Sequence, residues 1–246
     1  MPKVAVVTGG TGGLGTAMCQ ALIDQGRTVV AAYYLAEEET ARQWQAARQV
    51  EGYGVSVYPV DVADFDSCAV FIEQVEADLG PVEILVNNAS ITRDAVLKKM
   101  EKRQWDAVIA TNLTGAFNMT KQVFGKMLER KWGRIVNISS TNAQKGQYGQ
   151  ANYAAAKAGM HGFTLSVAAE GARYGVTANT ISPGYIGTEM VRAMPEDVLT
   201  QIIAQIPVGR LGTPADVARA VTFLTADEAG FITGADLSIN GGSYFH

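Results

Sequence analysis

Tyr153 and Lys157 stand four residues apart in Tyr-Ala-Ala-Ala-Lys, so on a helix their side chains share one face. A tyrosine at its ordinary pKa of about 10 exchanges protons poorly at neutral pH. A neighbouring ammonium favours the phenolate, lowers that value and readies the hydroxyl to trade a proton with an alcohol or carbonyl oxygen. Ser140, upstream of the pair, offers a second hydroxyl that can hold and polarise the same oxygen. A different chemistry sits near the start, where residues 8–15 read Thr-Gly-Gly-Thr-Gly-Gly-Leu-Gly. Between a strand and a helix, Gly9 permits a tight turn, Gly13 lets main chain approach a diphosphate and Gly15 allows close helix–sheet packing. The helix N-terminus then receives the anion. Taken singly, the Tyr/Lys pair also reads as an ordinary exposed i,i+4 pair, and the glycines as a turn with no ligand.

The elements that must position these groups are legible as an alternation. Runs rich in β-branched residues span Val4–Thr8, Thr28–Tyr33, Val55–Val60, Ile84–Asn87, Arg134–Ser139, Thr177–Ser182 and Ala235–Ile239. Most are apolar throughout, the pattern of strands buried on both faces. Helical patterns fall between them at Leu14–Gln25, Ala36–Glu51, Phe65–Leu79, Trp105–Arg130, Tyr153–Tyr174 and Pro214–Leu224. This predicts an α/β fold, a parallel sheet with right-handed crossovers and helices on both faces. With no repeat and no Pro/Ser-rich linker, residues 1–246 read as one domain. In such sheets ligands sit beyond the carboxyl ends of the strands, so chemistry is expected on the loops that follow them.

Composition narrows the function classes. The 246 residues carry 20 Lys+Arg against 24 Asp+Glu, a net charge of −4, which offers nucleic acid no basic face. Apolar runs are far shorter than the roughly 20 residues a membrane span needs, and no signal-peptide segment precedes the first strand. A cytoplasmic protein with neither nucleic-acid nor membrane partners is expected. Cys19 and Cys68 make no disulfide framework and lack metal-ligand spacing, so no metal site is expected. His161 and His246 have no neighbour in the sequence that suggests a triad or a metal, and read as structural or surface residues.

Further segments fall in a telling order: Asn87-Asn88-Ala89-Ser90, Asn112 in Thr-Asn-Leu-Thr-Gly, Ser140 after Ile138-Ser139, the Tyr153/Lys157 motif, and Ser182-Pro183-Gly184. With Thr-Gly-x-x-x-Gly-x-Gly they resemble the short-chain dehydrogenase/reductase family over essentially the whole chain. That resemblance implies a Rossmann-type doubly wound sheet of seven parallel strands and hydride transfer with a nicotinamide dinucleotide. It implies Tyr153 as acid/base, Ser140 as partner of the substrate oxygen and Lys157 as pKa modulator and ribose ligand. Asn112 would lie at a helix irregularity whose water links Lys157 to solvent. The cofactor set it implies is Gly9, Thr11, Gly12, Gly13, Leu14, Gly15, Tyr34, Asp61, Val62, Asn88, Ala89, Ser90, Tyr153, Lys157, Pro183, Gly184, Ile186 and Thr188. Asp61 also reads as a helix cap. Ser90 departs from the glycine usual in the family; being small, it is expected to leave the loop intact with a slight shift.

For the choice of nicotinamide, no basic residue occupies Thr11 or Gly12, and Glu37-Glu38-Glu39 follows the second strand before Arg42. These carboxylates disfavour a 2′-phosphate, so NADH is favoured with NADPH admitted, although Tyr33 or Tyr34 stands where the family's NAD-selecting Asp would be. The glutamates equally suit a solvated helix N-terminus. The segments 88–94 and 133–140 resemble bacterial 3-oxoacyl-thioester reductases. Residues 144–150 and 182–186 are similar to those acting on acetoacetyl-CoA in polyhydroxybutyrate synthesis, which implies reduction to (R)-3-hydroxybutyryl-CoA. Gln147, Tyr148, Gln150 and Tyr185, with Ser140, would then contact the thioester. Two alternatives stand: a reductase of acyl-carrier-protein thioesters in fatty acid synthesis, and a non-catalytic dinucleotide-binding regulator. The family also implies a homotetramer, packed through helices that include Tyr153–Tyr174.

Overall fold

The computed structural model describes residues 2–245; His246 lies outside them. Seven strands form one sheet: β1 (Val4–Thr8), β2 (Thr28–Tyr33), β3 (Val55–Pro59), β4 (Val82–Asn87), β5 (Gly133–Ile138), β6 (Val176–Pro183) and β7 (Asp236–Ile239). All pairings are parallel and the order is β3-β2-β1-β4-β5-β6-β7. The order reverses between β1 and β4, which opens a crevice at their carboxyl ends. β1, β5 and β6 are buried at every position, the mark of strands covered on both faces.

Among the described residues ten α-helices surround the sheet: α1 (Gly13–Asp24), α2 (Glu38–Val50), α3 (Phe65–Leu79), α4 (Lys102–Ile109), α5 (Gly115–Arg130), α6 (Thr141–Lys145), α7 (Ala151–Gly171), α8 (Glu189–Arg192), α9 (Glu196–Ala204) and α10 (Pro214–Thr225). On one face Met18, Cys19 and Leu22 of α1 meet Val217, Val221 and Leu224 of α10. On the other, Phe71, Ile72 and Val75 of α3 pack with Met119, Val123 and Met127 of α5 and Val167 of α7. The period-3.6 apolar stripes thus become two separate cores, with the sheet between them.

Two expectations need correction. The helix expected over Trp105–Arg130 starts at Lys102 and is interrupted by a π turn at Ala110–Thr114. The short helices α6, α8 and α9 were not anticipated; α6 and α8 span five and four residues, too short to display a period.

Candidate active site

The glycine turn is built by contact distances. Gly9 has φ +61°, and a Cβ there would meet Ala89 Cα at 3.1 Å. A Cβ on Gly15 would stand 2.3 Å from the Gly9 carbonyl oxygen, and one on Gly10 2.6 Å from Ala31 Cα. Gly10 is therefore the residue pressed on the sheet, whereas Gly15 packs on the turn itself, not on the sheet as expected. Gly13 is different: its nearest neighbour would be Thr188 at an ordinary 3.6 Å. The first turn of α1 starts from Gly12 with no side-chain cap and no acidic residue, leaving main-chain N–H groups to face an anion. Asn88 braces the turn, its amide donating to the carbonyls of Thr8 (2.9 Å) and Gly9 (3.1 Å). The Asn88 and Ala89 N–H groups donate to the Thr8 hydroxyl.

From this turn a cleft of about 510 Å³ runs along the ends of β1, β2 and β4, with Tyr34, Glu37, Asp61, Val62 and Ser90 in its wall. Asp61 is not a helix cap. Its carboxylate accepts from Ala63 N at 2.9 Å, whereas Asp64 caps α3. Tyr33 ends β2 and is buried, and Tyr34 is exposed. Glu38 and Glu39 sit in the first turn of α2, the solvated helix start that their sequence admits. Glu38 lies 3.8 Å from Arg42.

At the far end, Ser140 is the N-cap of α6, its hydroxyl accepting from Asn142 N at 3.1 Å. It and the Ser90 hydroxyl both lie within hydrogen-bonding reach of the Tyr153 phenol. Ser90 thus adds a hydroxyl where the resemblance led to a bare glycine. Lys157 is 1% exposed, stands 5.7 Å from the Tyr153 ring centroid and donates to the Ile138 carbonyl at 2.7 Å.

The expected acidification of the phenol is not what this geometry gives. Burial raises the Tyr153 pKa above its ordinary value; bonds from Ser140 and Ser90 pull it back, and Asp94 raises it further. The ammonium is aimed at a main-chain carbonyl, and burial drives Lys157 from 10.5 down to about 7.

Asn112 lies in the π turn and is fully buried. Its amide brackets Ile91, accepting from the N–H at 2.9 Å and donating to the carbonyl at 3.0 Å. This ties the wound-out helix to the loop after β4.

The expected substrate residues divide. Gln147 and Tyr148 are exposed on the loop before α7, and Tyr185 lines a small pocket with Ser140, Lys145, Pro183, Gly184 and Ser243. Gln150 is engaged elsewhere: it accepts from Asn142 at 2.9 Å and donates to Asp94 at 2.8 Å, bracing the cleft walls. The Ile186 side chain lies in the core, so only its main chain is left to a ligand. Thr188 is the N-cap residue of α8, opposite Gly13.

His161 is not partnerless. It reaches Ser139 (2.8 Å), Ser182 (3.5 Å) and Asp236 (3.7 Å), contacts made by residues distant in sequence and therefore without a local signal. Among the described residues no cluster of metal-ligating side chains occurs, and no helix is long and apolar enough to cross a membrane.

These groups fit a nicotinamide dinucleotide. An uncapped helix start with open space at Gly13 suits a diphosphate. Lys157 has three N–H donors, of which one meets Ile138, so the others suit sugar hydroxyls. Comparison with known proteins agrees. The family model described as short chain dehydrogenase matches residues 3–199. The chain is 57% identical over 246 residues to an acetoacetyl-CoA reductase of Rhizobium meliloti and 56% identical over 246 residues to one of Shinella zoogloeoides, all of each chain being covered in both. It is 42% identical to a 3-oxoacyl-(acyl-carrier-protein) reductase of Salmonella typhimurium, over 98% of this chain and 97% of that one.

Proposed function

The chain belongs to the short-chain dehydrogenase family, whose fold binds NAD(P), and on that premise we propose that it reduces acetoacetyl-CoA to (R)-3-hydroxybutyryl-CoA. The observation that carries this reading is the meeting of the Ser140 and Ser90 hydroxyls at the Tyr153 phenol, in line with the cleft from the glycine turn. The bound nicotinamide supplies the hydride. Ser140 holds the 3-oxo oxygen, and Tyr153 gives that oxygen its proton as charge develops there. Raised by burial, the phenol is fully protonated at neutral pH, the form a reductase needs. Lys157, at about 7, holds and releases a proton near neutrality, and its remaining N–H donors would hold the cofactor's sugar hydroxyls. Asn112, by holding the π turn on Ile91, would leave room for a water that passes protons between Lys157 and solvent.

Gln147, Tyr148 and Tyr185 contact the thioester in this reading, with Lys145 beside them; Gln150 acts by holding Asp94 and Asn142. In this reading NADH is preferred to NADPH, because Glu37 lines the cleft beside the end of β2 and would repel a 2′-phosphate there, and Arg42 faces Glu38. The product is the monomer unit of polyhydroxybutyrate. A homotetramer is supported by the apolar pair Phe65 and Phe117, stacked at 6.5 Å and each about half exposed on α3 and α5.

The test offers acetoacetyl-CoA and the matching acyl-carrier-protein thioester to the purified protein, each with NADH and with NADPH. A higher kcat/KM on the CoA thioester with NADH is expected. Preference for the carrier-protein thioester would replace the substrate; turnover of neither would overturn the reading and favour a non-catalytic dinucleotide binder.

A further inference from the structure

Tyr153, Lys157 and His161 follow one another at four-residue steps on α7, a single stripe whose third member the reaction above does not use. The direction of each proton around His161 can be counted. Ser139 has one hydroxyl hydrogen, donated to the Lys157 carbonyl at 3.0 Å. Ser182 has one, donated to Asp236 at 2.7 Å. Neither serine has a hydrogen left for the imidazole, so His161 Nε2 carries its own and donates it to Ser139 Oγ at 2.8 Å.

Serine, histidine and aspartate in a row are also the residue types of a nucleophilic triad. The proton directions exclude that role here. A nucleophilic serine must give its hydrogen to the imidazole, whereas Ser139 receives one. At 3% exposure Ser139 is also closed to an acyl group.

We infer that His161 is a positioning residue that sets the spacing between α7 and the end of β5, and so between Tyr153–Lys157 and Ser140. Helix and strand end are joined by two bonds running in opposite directions. Lys157 Nζ donates to the Ile138 carbonyl, and Ser139, fixed by His161, donates to the Lys157 carbonyl. The Asp236 carboxylate extends the brace. It accepts from Gln144 at 2.7 Å, on the short helix that Ser140 caps, and from Ser182, beside the Pro183 loop. One carboxylate on β7 therefore reaches the three segments that carry Ser140, Lys157 and Pro183–Gly184. A chain of this kind is cooperative, since each bond polarises the next. A displacement of about 1 Å between reacting groups costs on the order of 10²-fold in rate, so loosening this brace is read in kcat.

The inference rests on the reductase reading and is tested on the full chain with acetoacetyl-CoA and NADH. The variants are His161→Leu, His161→Gln, Asp236→Asn, Ser139→Ala and the double variant Ser139→Ala/His161→Leu. For each, kcat, KM, the NADH Kd by fluorescence titration and the melting temperature are measured. His161→Leu is expected to lose about 10-fold or more in kcat with its NADH Kd within about threefold of wild type. His161→Gln, whose amide still donates to Ser139, recovers most of that loss. The double variant is no slower than Ser139→Ala alone, because both act through one bond. Asp236→Asn also slows turnover, since an amide cannot accept from both Gln144 and Ser182 through two oxygens; it and Ser139→Ala decide the matter if His161→Leu does not fold. Full kcat in His161→Leu or in Asp236→Asn, no recovery by His161→Gln, or losses that multiply in the double variant would each overturn the inference. An inactive wild type overturns the reductase reading and this inference together, whereas an active wild type with an indifferent His161→Leu overturns this one alone.

Discussion

Lys157 couples the site to stability through its own titration. Its folded-state pKa of about 7 lies below its ordinary 10.5 because the ammonium is buried with one carbonyl in reach. Above pH 7 the unfolded chain therefore holds a proton that the folded chain has released, and stability rises with pH. Below pH 7 both states are charged and Lys157 contributes no slope. The clean window ends near pH 9, where the buried Cys19 and Cys68 thiols, raised by burial, begin to act in the opposite sense. Denaturant titrations of cofactor-free protein between pH 7 and 9 should show wild type gaining stability relative to Lys157→Met. The slope approaches but does not exceed about 1.4 kcal/mol per pH unit. Equal pH dependence in the two proteins would show that Lys157 is not desolvated. At this scale the sequence disclosed what lies within one helix turn or one motif. The Tyr153/Lys157 pairing followed from its spacing. The direction of the Tyr153 shift did not, because it depends on enclosure and on which way the ammonium points. The structural reading of His161 came without its partners, because Ser139, Ser182 and Asp236 reach it from distant parts of the chain.

The elements were legible in proportion to how far their own pattern determines them. β1, β2 and α3 occupy the spans their apolar runs indicate, since each buries a continuous face. The π turn at Ala110–Thr114 leaves the surrounding period almost unchanged, so the apolar pattern hid it and only the family resemblance pointed to an irregularity at Asn112, which holds the turn on Ile91. The glycine turn gives a sharp element-scale contrast. Gly15→Ala drives a Cβ to 2.3 Å from a main-chain oxygen, where no flexible side chain can yield, and should destabilise by about 3 kcal/mol or more. Gly13→Ala meets only Thr188 at 3.6 Å and should melt within about a degree or two of wild type, while its NADH Kd rises as the methyl intrudes on the diphosphate. Thermal melts with and without NADH check both. A stable Gly15→Ala, or a Gly13→Ala that binds NADH like wild type, would mean the two glycines have been assigned the wrong tasks.

For the molecule as a whole, one sheet places the glycine turn after β1, the Ser90 loop after β4, Ser140 after β5 and the Pro183 loop at the end of β6 around a single crevice. A parallel sheet with helices on both faces was readable from alternation and its doubly wound form from the family resemblance; which loops lean together to close the substrate end was not, because those contacts join residues far apart in sequence. The exposed aromatic strip adds a test of assembly. Phe117 stacks near Phe65 at 6.5 Å and meets Phe163 edge-on at 6.4 Å, leaving an apolar ridge half in solvent. Sedimentation should give a tetramer for wild type and smaller species for Phe117→Asp, and an unchanged tetramer in the variant would remove this ridge from the interface. The claim most in need of measurement is that Tyr153 is the proton donor to the substrate oxygen in a nicotinamide-dependent reduction. Steady-state turnover of acetoacetyl-CoA by wild type and Tyr153→Phe, with NADH affinity measured on the same samples, tests it directly. In the variant kcat should fall by roughly 10²–10⁴-fold while the NADH Kd stays within a few-fold; a Tyr153→Phe protein that reduces acetoacetyl-CoA at the wild-type rate would contradict that role.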